Sequence, residues 1–485
     1  MAEYKHGIDT TRDSNVEESV EKASVAQVVI GTAPINLLDD PSSAVNKLVI
    51  IGKKSDMIEK LGTCTDYENY TLMQAYLAAC KVGTFPIVMI NVLDPSNPKH
   101  TTAVTEEDFK LEKGCVKLVK PGILLDTLVV KDGATEGKRG VDYEAAFDAD
   151  GFVDIAVAED GAFAGKESLK IAYAKLNPEG VEDKDIIGGT NEDGVRSGID
   201  LADEVYPMFN IVPMFIGAPK YSAHPAVAAV LEAKAESVGD VVASQAFCDL
   251  TGAKKPEDVK SAKDKLGVFA RHTVVCWPTY TIIAGNKIYA SCEKMALMQY
   301  EMTKNNNVPK SIDNVKAMID GVALEDGTEK LYTQKQMNDF VVAYGVSTFL
   351  YMNGWKSWGD TTAAYPDKTA PNDHSIKSVA IANWMENTFK TEYSTEIGKD
   401  LSPANIKSIV NNFNFWLAGL TPRYFAGGEI VFDESENPED QVIEGNIVLL
   451  TSYADYPTLK HITNRFTWSK NYISKMITEI TGGEG

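Results

Sequence analysis

Short, almost wholly apolar runs alternate along the chain with stretches whose apolar residues recur at helical spacing. Val25 to Gly31 (VAQVVIG), Leu48 to Gly52 (LVIIG) and Phe85 to Leu93 (FPIVMINVL) predict buried strands. Thr71 to Val82 (TLMQAYLAACKV) predicts a helix. Strands alternating with helices predict a largely parallel sheet covered on both faces. The pattern resumes with a strand at Ile211 to Gly217 and a helix at Pro225 to Val238, whose start is marked by Ser222 and Pro225. Strands at Val241 to Phe247 and Thr273 to Trp277 follow, then a helix at Ser291 to Lys304.

The interval from Thr101 to Gly188 has a different rhythm. Five short strands are expected there: Val116 to Val119, Thr127 to Lys131, Val141 to Phe147, Phe152 to Ala158 and Leu169 to Ala174. Asp150-Gly151 suits a hairpin turn, because both residues tolerate positive φ. From Thr101 to Thr190 there are nineteen acids against eleven bases. This reads as an inserted, solvent-facing β domain, and the glycines at 188, 189, 194 and 198 as its return linker. From about Tyr365 a third region begins. Helices are expected near Ser375 to Tyr393 and Pro403 to Leu420, then strands near Glu429 to Asp433, Asn446 to Tyr453 and His461 to Trp468. Polar segments at both ends read as arms.

The expected fold is therefore an α/β core domain with an inserted all-β (sandwich- or barrel-like) domain, an α+β C-terminal domain, and extended N- and C-terminal arms. The boundaries are 1–22 for the first arm, 23–100 with 190–364 for the core, 101–189 for the insertion, 365–468 for the C-terminal domain and 469–485 for the last arm. A length of 485 residues fits about three domains.

Charge narrows the functional classes. Lys and Arg number 47 against 69 acids, a net of −22. That argues against a main role in gripping nucleic acid or anionic lipid, which need a cationic face. No apolar signal-peptide core opens the chain and no eighteen-residue apolar run occurs, so neither secretion nor membrane insertion is expected. The six cysteines, 64, 80, 115, 248, 276 and 292, form no C-x-x-C pair and read as small buried hydrophobes in a reducing cytoplasm.

Motifs for catalysis fail one by one. LVIIGKKS resembles a phosphate loop, but Lys47 stands where the pattern needs glycine and Lys54 where it needs a hydroxyl. Asp148, Asp150 and Glu159 look like a calcium-loop fragment, but Phe152 breaks the ligand series and a hairpin explains them better. The histidines at 6, 100, 224, 272, 374 and 461 show no zinc spacing. The dense aromatics Tyr344, Phe349, Tyr351, Trp355 and Trp358 read as core. No catalytic, cofactor-binding or metal residue is assigned and no cofactor is expected. The residues alone point to an assembly subunit.

One stretch carries more. Phe340 to Thr362, FVVAYGVSTFLYMNGWKSWGDTT, resembles the contractile phage-tail sheath family at Gly345, Val346, Thr348, Phe349, Gly354, Trp355, Trp358, Gly359 and Thr362. Trp384 to Phe389 (WMENTF), Ile409 to Leu420 (IVNNFNFWLAGL), Gly427-Gly428, Phe432 to Asn437 (FDESEN) and Gly445 continue the resemblance. So do Gly198 to Pro219, Val308 to Asn314 and the N-terminal Tyr4 to Thr10. The resemblance spans nearly the whole chain except Thr101 to Gly188. The arm departs from the family's frequent P-G-V-Y, reading His6-Gly7-Ile8-Asp9.

The resemblance implies a structural subunit, not an enzyme. Such subunits form stacked hexameric rings around a tail tube and contract to push the tube through a cell envelope. The implied partners are other copies of the chain, a tail tube protein, and baseplate and terminator proteins, with no direct nucleic acid and no membrane insertion. The implied location is the virion, after assembly in the host bacterial cytoplasm. Arms link neighbours by adding strands to a C-terminal domain. The expected arm residues are Tyr4, Gly7, Ile8, Thr10 and Arg12 at one end, and Phe466, Trp468, Tyr472 and Ile473, on a strand, at the other. Lys377, Lys390 and Lys407 are the candidate tube contacts. A contractile bacteriocin sheath is the nearest alternative. An α/β enzyme with an accessory β domain is the alternative from another class.

Overall fold

A computed structural model describes residues 24–482. Its centre is an eight-stranded sheet built from β1 (Ser24–Gly31), β2 (Leu48–Ile51) and β3 (Ile87–Asn91) with five later strands. Between β3 and the return of the chain lie β4 (Thr101–Lys110), β5 (Cys115–Leu118), β6 (Val129–Asp132), β7 (Thr135–Glu136), β8 (Tyr143–Phe147), β9 (Val153–Val157) and β10 (Ser168–Leu176). A two-residue ladder, β11 (Gly189–Thr190) with β12 (Arg196–Ser197), precedes β13 (Ile211–Gly217), β14 (Gln245–Asp249) and β15 (Thr273–Cys276). A small antiparallel sheet holds β16 (Tyr280–Ile283), β17 (Asn286–Tyr289) and β18 (Gly321–Ala323). β19 (Val346–Tyr351) and β20 (Trp355–Trp358) complete the large sheet, and β21 (Phe425–Phe432) pairs with β22 (Leu449–Asp455) alone.

The order of the large sheet is β2-β3-β1-β13-β14-β15-β19-β20. Its interior pairs are parallel, while the two marginal pairs, β2 with β3 and β19 with β20, are antiparallel. Every residue of β3, β13, β14 and β15 is buried, as expected of a parallel sheet covered on both faces. The covering helices include α1 (Thr71–Val82), α2 (Pro225–Glu236) and α3 (Ala290–Lys304), and α1 packs directly on α3. Gly31 lets α1 approach, since a Cβ there would lie 2.1 Å from the Thr71 hydroxyl.

The interval after β3 forms two sheets, β4-β10-β6-β7 and β5-β9-β8. They share a separate hydrophobic cluster of Leu118, Val130, Tyr143, Ile155, Phe163 and Ile171, among others. Inward and outward residues alternate along β8, β9 and β10. Seven strands stand where five were expected. β4 was missed because its EED run and exposed threonines lack the apolar alternation of a half-buried strand. Asp148 closes the β8–β9 hairpin by accepting the amides of Asp150 and Phe152, both at 2.9 Å.

The third region begins with α4 (Ile376–Tyr393) and α5 (Pro403–Leu420). Both carry serine N-caps: Ser375 accepts from the Ser378 amide and Ser402 from the Asn405 amide, and Pro403 opens α5. An aromatic seam joins them, with ring centroids 5.1 Å apart for Trp384–Trp416 and 5.2 Å for Phe389–Phe413. Their buried residues belong to the same hydrophobic cluster as the large sheet. Asn387 fixes α4 to the sheet: its Oδ1 accepts from the Ala243 amide and its Nδ2 donates to the Ala243 carbonyl, both at 2.7 Å.

Two expectations fail in this region. No strand forms over His461 to Trp468, and Phe466 to Ile473 is not one strand. The chain runs without a ladder partner from Tyr456 to Ser469, then coils into α6 (Lys470–Ile480). Ile473, Met476, Ile477 and Ile480 fall at helical spacing, and that period overrides the two-residue alternation of Phe466, Trp468 and Tyr472. Cys115 is exposed rather than buried, whereas Cys248, Cys276 and Cys292 are buried as expected.

Candidate interaction surface

β21 and β22 make a ribbon of two antiparallel strands, from Phe425 opposite Asp455 to Phe432 opposite Leu449. Two strands alone are marginal in water, so the ribbon needs support. It gets this from α5. The Asn414 side chain pairs with Ile430 in both senses, its Nδ2 donating to the carbonyl at 2.8 Å and its Oδ1 accepting from the amide at 2.9 Å. Phe413 and Leu417 of α5 and Phe425 and Ile430 of β21 are buried together in the common core. Among the described residues no third strand pairs with this ribbon, and Asn414 occupies the outer edge of β21 at Ile430, which leaves the β22 side the more open edge. An open edge is a row of unmatched backbone donors and acceptors, suited to accept another strand.

Exposed apolar side chains concentrate in the sequence that surrounds and follows that ribbon. Among the described residues, eighteen of the twenty-seven exposed large apolar side chains lie between Ile397 and Ile480. Phe415 on α5 is 83% exposed, and Val431, Phe432, Val448 and Leu450 line the ribbon's outer parts. Exposed apolar side chains in this number suit a surface for binding another molecule. The expected C-terminal arm residues sit in it. Phe466 and Trp468 lie exposed on the extension, and Tyr472 and Ile473 lie exposed on α6. Tyr4, Gly7, Ile8, Thr10 and Arg12 fall outside the described residues.

The candidate tube lysines separate into two kinds. Lys390 on α4 and Lys407 on α5 are exposed. Lys377 is not an available cation. Its side chain is 11% exposed, and its ammonium lies 2.9 Å from the Asp455 carboxylate and donates to the Tyr456 carbonyl. Sequence reasoning offered it as a tube contact because its partner Asp455 is 78 residues away in the chain. The helical spacing of Ile473, Met476, Ile477 and Ile480 was the readable sign of α6.

The loop that resembled a phosphate cradle is occupied from within. The Asp56 carboxylate accepts the amides of Gly52 at 2.8 Å and Lys53 at 3.2 Å, and these contacts hold its pKa low. The buried titratable groups are likewise tied into the frame. Asp249 accepts from Ser222 and twice from Ser291, and burial pushes it up to about 7. Lys263 donates to the carbonyls of Tyr344, Ala363 and Tyr365, and burial draws it down to about 8. These groups pin backbone carbonyls and a helix start.

The fold is that of a contractile-sheath subunit. The chain superposes on a subunit of an extracellular contractile injection system, the PVC sheath complex in its contracted state. The TM-score is 0.56, with 10% identity, over 97% of this chain and 99% of that one. Curated sequences similar to the chain come from phage tails. A tail sheath protein of Burkholderia phage BcepMu is 23% identical over 99% of both chains. A major tail sheath protein of Serratia phage KSP20 is 23% identical over 66% of this chain and 81% of its own. No protein-family model matches the chain. Its homologues are thus tail sheath proteins, as the motifs from Gly345 to Thr362 implied. No helix among the described residues is long and apolar enough to cross a membrane.

Proposed function

We propose that this chain is the structural subunit of a contractile tail sheath, which polymerises as stacked hexameric rings around a tail tube. The observation that carries the reading is the two-stranded β21–β22 ribbon, with no third strand on either side, followed by an exposed apolar C-terminal extension. Strand addition at those edges would link copies through main-chain hydrogen bonds, each about 1 kcal/mol net. Several such bonds per copy, repeated through a lattice, hold rings together while the compact bodies move. Contraction then needs no nucleotide: it is a passage between two packings of the same subunit, from a metastable lattice to a more stable one.

In this reading residues 1–22 donate the other strand, residues 101–189 face outward, and residues 365–468 form the inner, arm-accepting part. Lys390 and Lys407 contact the tube, while baseplate and terminator proteins close the two ends. The particle is a virion component assembled in the host cytoplasm, and the chain carries out no catalysis. Electron microscopy of the purified full chain tests it. Tubes with sixfold end views are expected, and a monodisperse small oligomer at high concentration would overturn it.

A further inference from the structure

The segment that leaves β22 is held at its root and free beyond it. The Asp455 carboxylate takes the Lys377 ammonium at 2.9 Å and the Ser378 hydroxyl at 2.9 Å. The same ammonium donates to the carbonyl of Tyr456, the first residue outside the strand. The Tyr456 hydroxyl donates to the Pro422 carbonyl at 2.9 Å, and the Lys460 ammonium lies 3.3 Å from the His374 ring. Beyond His461, the hydrogen bonds found among the described residues stay within the segment.

Lys377 is itself fixed from behind. Its amide donates to the Asp360 carboxylate at 3.1 Å, whose other oxygen accepts the Ser375 hydroxyl at 2.7 Å. Asp360 is buried just past β20, so the relay runs from the margin of the large sheet, through the first turn of α4, to the exit of β22.

We infer that Lys377, Asp455 and Asp360 form a positioning clamp that aims the C-terminal extension, an inference that rests on the reading of that extension as an inter-subunit arm. An ion pair serving only cohesion would need the Asp455 carboxylate alone. The shared Tyr456 carbonyl ties the ammonium to the peptide unit whose orientation sets the exit direction. The lever is long. The fourteen residues from Tyr456 to Ser469 reach at most ~46 Å at about 3.3 Å per residue. A tilt of about 10° at the root then moves the far end by up to ~8 Å, more than the ~4.8 Å between neighbouring strands. An arm so misdirected loses its register on the next copy.

The test uses the full chain and separates aiming from cohesion. Lys377→Met removes both bonds of the ammonium, and Lys377→Arg keeps a donor. Lys377→Asp with Asp455→Lys restores the pair but puts an acceptor where the Tyr456 carbonyl needs a donor. Tube yield by sedimentation and negative stain, thermal midpoint, and deuterium exchange over 452–455, the ladder end of β22 next to the clamp, are measured on each. Lys377→Met should lower tube yield at least tenfold and speed that exchange at least tenfold. Lys377→Arg should recover both. The swap should recover the midpoint but not the tubes. A swap that restores tubes to the wild-type yield overturns the inference. If the wild-type chain forms no tubes, the arm reading fails; the clamp is then judged by exchange alone, and unchanged exchange in Lys377→Met overturns it.

Discussion

The ammonium of Lys294 lies 4.3 Å from the centroid of the Phe349 ring, wholly buried beneath the β19–β20 hairpin. It donates to the Thr348 carbonyl at 2.6 Å and the Ser357 hydroxyl at 2.7 Å. The aromatic face and two oxygens replace its hydration, and among the described residues no carboxylate bonds to it. Burial therefore pulls it down to about 8. An unfolded lysine titrates near 10.4, so between about pH 8 and 10.4 the unfolded chain holds more protons and this group's contribution to stability rises with pH. Lys294→Met removes that contribution. Its stability relative to wild type should be higher at pH 7.5 than at pH 10, by on the order of 2 kcal/mol. Denaturant titrations at both pH values give the difference, and a pH-independent value would contradict the depressed pKa.

Glu293, the preceding residue of α3, predicts the opposite slope on the acid side. One of its oxygens accepts from the Met318 amide at 2.9 Å, while the other is buried without a partner. Burial raises it to about 7. Between about pH 4.5 and 7 the folded chain keeps a proton that the unfolded chain has lost, so stability falls as pH rises through this window. Asp249 acts in the same sense. Glu293→Gln should flatten the fall by on the order of 2 kcal/mol across the window. Thermal midpoints at pH 5 and pH 7 measure it.

Asn387→Ala should be the most damaging polar substitution in α4. It strands the buried amide and carbonyl of Ala243 together. Each orphaned group costs roughly 1–3 kcal/mol, so a loss of about 3 kcal/mol is expected in equilibrium unfolding.

Gly345 shows why one motif position is glycine. Its φ is +71°, and a Cβ there would sit 2.4 Å from the Tyr365 carbonyl and 2.5 Å from the Thr362 carbonyl. These backbone atoms cannot yield as a flexible side chain would. Gly345→Ala should cost more than 3 kcal/mol, with soluble expression and thermal midpoint as readouts.

The apolar face of α6 should matter to assembly and not to the fold. Ile473 and Ile477 are exposed, so Ile473→Ser with Ile477→Ser should shift the monomer's midpoint by less than about 1 kcal/mol equivalent. Tube formation should drop sharply in the same protein. Intact tubes from the double variant would show that this face contacts nothing in the polymer.

The large sheet was legible because burial on both faces leaves nearly unbroken apolar runs, as in Ile211–Gly217, found to the residue. The helices Thr71–Val82 and Pro403–Leu420 were equally plain from their apolar spacing. The β16–β17 hairpin was missed although Ala284-Gly285 turns it, both with positive φ, because its strands are only four residues long. The candidate interface was legible through motif resemblance rather than through pattern. What pattern could not supply was partnership. Lys377 with Asp455, and Asn387 with Ala243, are distant in sequence and meet only through packing.

The seven-stranded insertion begins and ends at one place. Thr101 at the start of β4 stands directly opposite Leu176 at the end of β10, and the two flanks are stitched by Asn177, whose side chain donates to the Lys99 carbonyl at 2.9 Å. Residues facing each other across a ladder lie about 5 Å apart, a gap that one or two residues bridge. The sandwich is therefore a cassette. Its attachment is not at that seam alone, since Leu124 and Leu176 are buried in the core cluster of the large sheet and the Asn36 side chain donates to the Ile123 carbonyl.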